Sequence, residues 1–169
     1  MIVWFKGISG VGKSTLGYYF YKTKKRNIKN LVYIDGDYFR KLFNNDLGYS
    51  LKDRNLNANR LCSFVKHLES QKINVVVAAN LTSKKYQDWT RKNLKNYLSI
   101  YIESKLSDLK NRDKKNIYIK KKNIVGININ FDKPKHSHLY LQNNLSKKKF
   151  LTNIKLINNL IKNKKLKFF

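Results

Sequence analysis

The chain of 169 residues carries 37 lysines and arginines against ten acidic residues, a formal net charge of +27, and a single cysteine, Cys62. This length suits one domain with a real core, one cysteine excludes an internal disulfide framework, and no apolar run approaches the roughly 20 residues of a membrane span. Charge alone would point to nucleic acid or an anionic surface, but Lys, Asn and Ile abound everywhere and the lysines are scattered, so the excess is read as compositional drift and no specific nucleic-acid partner is expected.

Ile2-Val3-Trp4-Phe5 reads as a first strand. It follows Met1 with no charged leader or cleavage site, which with the lone thiol leads us to expect a reducing cytoplasm and no membrane association. Next comes Gly7-Ile8-Ser9-Gly10-Val11-Gly12-Lys13-Ser14-Thr15, a match to the P-loop pattern G-x-x-x-x-G-K-[ST] between that strand and a helical stretch, 14–25. Three glycines open backbone angles closed to other residues, so successive N–H groups can converge on phosphate oxygens at a helix N-terminus. Lys13 is expected to bridge the outer phosphates of ATP and the Ser14 hydroxyl to hold Mg²⁺.

Leu31 to Ile34 reads as a second strand, ending at the carboxylate pair of Asp35-Gly36-Asp37. A helical stretch over 53–71, a strand over 73–79, a helical stretch over 84–96 and a strand over 98–102 follow. Strands alternating with helices predict an α/β fold: a parallel sheet covered on both faces, with ligands at the C-terminal strand ends. From 114 to 146 the pattern breaks down, as in a lid. Phe150, Ile154, Ile157 and Leu160 then recur at helical intervals, predicting a closing amphipathic helix over about 147–163 whose apolar stripe is core. The whole, 1–169, is expected to be a single P-loop kinase domain.

Six of the basic residues are arginine: Arg26, Arg40, Arg54, Arg60, Arg91 and Arg112. A chain that uses Lys by default keeps Arg where a planar fork grips phosphate or carboxylate at two points. Four of these six fall in or beside motifs. Asp35-Gly36-Asp37-Tyr38-Phe39-Arg40 is followed by Asn44-Asn45-Asp46-Leu47-Gly48-Tyr49-Ser50 and by Asp53-Arg54-Asn55-Leu56-Asn57-Ala58-Asn59-Arg60. Over this stretch the chain resembles the adenylylsulfate kinases, which read D-G-D-N-x-R, N-x-D-L-G-F-S and D-R-x-x-N-x-R-R without a gap. Thr82 to Lys85 lies where that family has S-P-Y-R, and Arg112-Asp113 with Ile117-Tyr118 matches R-D-x-x-x-L-Y.

The resemblance implies phosphoryl transfer from ATP, with Mg²⁺, to the 3′-hydroxyl of adenylyl sulfate, giving 3′-phosphoadenylyl sulfate in sulfate activation. It makes Asp37 the base for the hydroxyl and Asp35 a partner of the metal. Arg40, Arg54 and Asn57 would hold the phosphate and sulfate end, with Thr82 and Lys85 nearby. Tyr49 would stack on the acceptor base, and Arg112 would lie near the ATP adenine. A homodimer is possible in such a family. Two departures stand out: S-P-Y-R has become Thr82-Ser83-Lys84-Lys85, and the lid motif G-F-T-G has become Gly126-Ile127-Asn128-Ile129, so the second ring of an aromatic sandwich is replaced by Ile127. The same 3′-hydroxyl reaction on another 5′-activated nucleotide is therefore a second expectation, as in the similar cytidine diphosphoramidate kinases of capsule synthesis. A non-catalytic P-loop module that binds RNA is a third. His136 and His138 lack the Cys or carboxylate company of a zinc site, and Cys62 is expected in the core.

Overall fold

A computed structural model describes residues 1–111, 123–144 and 146–169. Strand β1 (Ile2–Lys6) is buried along its whole length, as a strand must be when helices cover both faces of a parallel sheet. It pairs with β3 (Asn74–Ala78) on one side and β4 (Tyr97–Glu103) on the other. Outside them lie β2 (Leu31–Asp35) and β5 (Leu139–Gln142), giving a five-stranded, all-parallel sheet of order β2-β3-β1-β4-β5.

Alternation along these strands separates two cores. Val3, Phe5, Val76, Leu98, Ile100 and Ile102 face α1 (Lys13–Lys25) and the C-terminal helices α6 (Lys147–Leu151) and α7 (Ile154–Asn163). Ile2, Trp4, Val75 and Val77 take the opposite parity and pack with α3 (Leu51–Ser70) and α4 (Lys84–Asn93). Cys62 is buried in this second core, where burial pushes its thiol up to about 12 and leaves it unreactive. Two short helices, α2 (Gly36–Lys41) and α5 (Leu106–Asn111), start just beyond β2 and β4.

The parallel α/β architecture matches the expectation from sequence. Three local features differ. The irregular stretch expected over 114–146 contains β5, an edge strand of four residues with one buried side chain, Leu141; so short a run carries no legible period, and the neighbouring β4 backbone is what specifies it. The single closing helix is two: the Thr152 and Asn153 N–H groups turn to the Lys149 and Phe150 carbonyls three residues back, and the Thr152 hydroxyl and Asn153 side-chain amide donate to the same two carbonyls. Helix α4 stops at Asn93, with Leu94 extended as the chain swings into β4.

Candidate active site

The site is built on the C-terminal edge of the central strands. Leaving β1, the chain makes the turn Gly7 to Gly12 with φ of 140° at Gly7 and 101° at Gly12, values that strain any L side chain. A Cβ on Gly7 would press into the Ile102 carbonyl oxygen, and one on Gly12 would sit 2.8 Å from Asn143 Nδ2 and 2.9 Å from the Phe150 ring. The turn is thus moulded against β4, the residue after β5, and α6. Asn143, buried, donates from Nδ2 to the Val11 carbonyl at 2.8 Å and from its own N–H to the Glu103 carbonyl.

Lys13 opens α1 and folds back over the loop, its Nζ donating to the Ile8 carbonyl at 2.8 Å. Burial pushes its ammonium down to about 8, opposed by the charges of Asp37 and Asp35 and reinforced by Arg54. Ser14 Oγ donates to Asp35 Oδ2 at 2.6 Å. The other Asp35 oxygen accepts the N–H groups of Asp37 (2.9 Å) and Tyr38 (3.3 Å), so Asp35 is the N-cap of α2. The Tyr33 hydroxyl lies 3.4 Å from both the Ser14 carbonyl and Asp35 Oδ2, and burial, then Asp35, raises its pKa, so it stays a neutral donor. Ser14 and Asp35 are two hard oxygen donors side by side, a pair suited to a divalent cation. Asp37, in the first turn of α2, is exposed toward solvent, and its charge is felt at both Lys13 and Arg54.

Beyond α2 the chain forms a second cluster. Ser50 is the N-cap of α3, its Oγ accepting the Asp53 N–H at 3.1 Å and donating to Asp53 Oδ2 at 2.7 Å. A two-pronged Arg60–Asp46 pair, 2.9 and 2.7 Å, ties the preceding loop to that helix. The loop presents Tyr49, and two guanidiniums converge on its ring, Arg40 at 4.9 Å and Arg54 at 5.4 Å from the centroid. Arg40, buried, donates to the Gly48 carbonyl at 2.6 Å. Arg54 donates to the Tyr49 and Asn123 carbonyls at 3.1 and 2.9 Å. Burial and the neighbouring Arg40 lower the Arg54 pKa. Arg40 Nε and the Oδ1 of buried Asn57 have no hydrogen-bond partner among the described residues. Paired like charges and an orphan donor are what a site for an anion looks like, and the orphan Asn57 oxygen suits a hydrogen-bond donor on the same ligand.

Several expected residues take other places. Thr82 is buried, its carbonyl accepting the Asp132 N–H, while the Lys85 ammonium lies over the Tyr86 ring on its own helix. Ile127 is 43 % exposed at the tip of a turn in which Ile124, Val125 and Ile129 are buried. Gly126 of that turn approaches Ile8, which sets it beside the P-loop. Thr15 is exposed, Val11 buried, and Arg112 lies outside the described residues. The ring nitrogen Nδ1 of His138 accepts the Ser99 N–H at 3.0 Å. Sequence reasoning missed Asn143 and Tyr33, and placed Phe150 in the core without its contact to the P-loop. Tyr33 stands two residues before Asp35 and was findable by strand parity, whereas one Asn among many carries no signal.

A sequence model of the adenylylsulphate kinase family matches residues 1–142. The chain belongs to this family. An adenylylsulphate kinase fold is also what structural comparison finds: the APS kinase of Mycobacterium tuberculosis, solved in complex with AMPPNP and APS, superposes with a TM-score of 0.81 at 27% identity, covering 95% of this chain and 96% of that one. The cytidine diphosphoramidate kinase of Campylobacter jejuni is 38% identical over 138 residues, 79% of this chain and 81% of the relative. The adenylyl-sulfate kinase of Buchnera aphidicola is 31% identical over 120 residues, 70% of this chain and 58% of the relative. This member of the adenylylsulphate kinase family is therefore a phosphotransferase of the P-loop kinase type. No helix among the described residues is long and apolar enough to cross a membrane.

Proposed function

We propose that the protein transfers the γ-phosphoryl group of ATP to the 3′-hydroxyl of a 5′-activated nucleotide, and that this acceptor is cytidine diphosphoramidate. The observation that carries the reaction is the facing of two cationic halves, each suited to an anionic substrate group: the P-loop with Lys13 on one side, and the Arg40, Tyr49 and Arg54 cluster on the other, with the charge of Asp37 felt by both. In-line transfer through a loose, charge-rich transition state asks the protein for positioning and neutralisation. Lys13 and the P-loop N–H groups hold the outer phosphates. Asp37 accepts or aims the proton of the 3′-hydroxyl. Arg40, Arg54 and Asn57 take the charged 5′ end, and Tyr49 offers a π-face to the base. Ser14 and Asp35 would hold Mg²⁺, which supplies charge neutralisation on the transferring group.

Two observations support the cytidine acceptor over adenylyl sulfate. The Campylobacter jejuni relative is 38% identical, against 31% for the Buchnera aphidicola adenylyl-sulfate kinase. Ile127 also leaves Tyr49 as one ring where a larger purine is served by two. Adenylyl sulfate is the second reading, favoured by the superposition on the Mycobacterium tuberculosis enzyme. Coupled ATP-consumption assays on both nucleotides, with ³¹P NMR to locate the new phosphate, decide between them. The expected result is a kcat/KM at least tenfold higher for cytidine diphosphoramidate and a 3′-phosphate on its ribose. A preference for adenylyl sulfate installs the second reading, and turnover of neither removes the proposal.

A further inference from the structure

A second cavity, of about 470 Å³, lies between α4, the first half of β4 and residues 131–136. None of the residues lining it belongs to the P-loop, to Asp35–Asp37 or to the Arg40, Tyr49 and Arg54 cluster. Its wall includes the side chain of Lys6, the last residue of β1, which is only 4% exposed. The Lys6 ammonium lies 3.4 Å from Thr90 Oγ1 and 5.5 Å from the centre of the Tyr97 ring, and among the described residues it makes no ion pair. Burial pushes it down to about 8, so at neutral pH it is still mostly a cation. A buried cation without a counter-charge is costly, and natural interiors pair such groups.

Neither carboxylate in the wall forms an ion pair with Lys6, although the charge of Asp88 is felt there and opposes the effect of burial. Asp88 is engaged by Lys84 at 3.6 Å and Arg91 at 3.5 Å, and Asp132 caps α4 by accepting the Lys84 N–H at 2.7 Å. Lys133 is held by Glu103 at 2.6 Å. The rest of the polar wall is formed by Lys6, Gln87 and Ser99, with Lys135 and His136 exposed at the rim, and the Phe131 and Tyr97 rings add flat apolar surface. The volume lies within the range of small-molecule sites.

We propose that this cavity is a binding site for a small phosphate ester, its phosphoryl dianion against Lys6 with Lys135 and His136, and its organic part against the Phe131 and Tyr97 rings. Two negative charges suit an ammonium whose contacts are a hydroxyl and an aromatic ring, with no carboxylate paired to it, and which has a further cation, Lys135, at the rim. The site is separate from the catalytic cleft, so it takes a ligand in addition to both substrates.

The test uses the protein carrying Lys13→Ala and Arg54→Ala, in which both competing phosphate sites of the catalytic cleft are disabled. Thermal shift and calorimetry are run with inorganic phosphate and with AMP, against chloride at matched ionic strength. Both probes should raise the melting temperature, AMP binding at least tenfold more tightly than phosphate. Adding Lys6→Met should weaken both at least tenfold, and Lys135→Ala with His136→Ala, on the exposed rim, should weaken them about fivefold without altering the unliganded fold by circular dichroism. If Lys6→Met does not fold, the rim variant alone decides. Binding unaffected by the rim and Lys6 substitutions overturns the site. Equal affinity for phosphate and AMP overturns the assignment to an ester.

Discussion

The two halves of the catalytic cleft are built differently. The donor half is backbone: a turn between β1 and α1 whose shape is pressed on it by Ile102, Asn143 and Phe150, all in the core or the sheet. The acceptor half is side chain: Arg40, Tyr49, Arg54 and Ile127, carried on a short helix, a loop, a helix N-terminus and a turn outside the sheet, with Tyr49 44 % and Ile127 43 % exposed. A loop moulded on all sides cannot change without loss, whereas a surface cluster can be rebuilt one residue at a time. Reaction type is held by the first half and acceptor identity is left to the second.

The comparison breaks most sharply at Lys13. Replacing it with Ala should lower kcat by ~10³-fold or more, since it removes a preorganised cation from the transferring phosphate, with the fold intact by circular dichroism; comparable turnover in both proteins would remove the P-loop mechanism. Asp37→Asn, at the seam of the halves, should cost roughly 10²-fold in kcat with ATP affinity little changed. Survival of kcat would reduce Asp37 to a first-turn acid of α2.

Asn143→Ala strips a buried partner from the Val11 carbonyl, so it should destabilise the protein by about 2 kcal/mol in urea unfolding and raise the KM for ATP. Stability equal to wild type would mean that the loop holds its shape alone. The pH profile sharpens the same half. Because burial sets the free Lys13 ammonium at about 8, kcat/KM for ATP should be flat below that pH and fall about tenfold per unit above it, as the cation is lost. Asp37 opposes the effect of burial, so Asp37→Asn should move the alkaline limb to lower pH; an unmoved limb would assign it to another group.

The smallest effect belongs to the acceptor half. Ile127→Phe restores a second ring, worth about 1 kcal/mol, and should lower the KM for adenylyl sulfate about fivefold while changing that for cytidine diphosphoramidate less. Equal gains for both nucleotides would show that position 127 does not read the base.

Much of this was legible in the amino-acid order because its signals are local. Fully apolar runs at 2–5 and 75–79, the P-loop between a strand and a helix, and Asp35-Gly36-Asp37 at a strand end each state their geometry within a few residues. From them follow the parallel sheet, the phosphate site and the side of the sheet that carries chemistry. Tertiary structure alone decided what depends on distant neighbours. Edge strand β5 is defined by its ladder to β4, and the closing helix splits where Thr152 and Asn153 divert its carbonyls. Asn143 braces Val11 across 132 residues of chain. Lys6 reads as one more lysine in a lysine-rich chain, and only packing against Thr90 and Tyr97 makes it a buried cation without an ion-pair partner among the described residues, because burial is a property of the assembled layers and not of the residue.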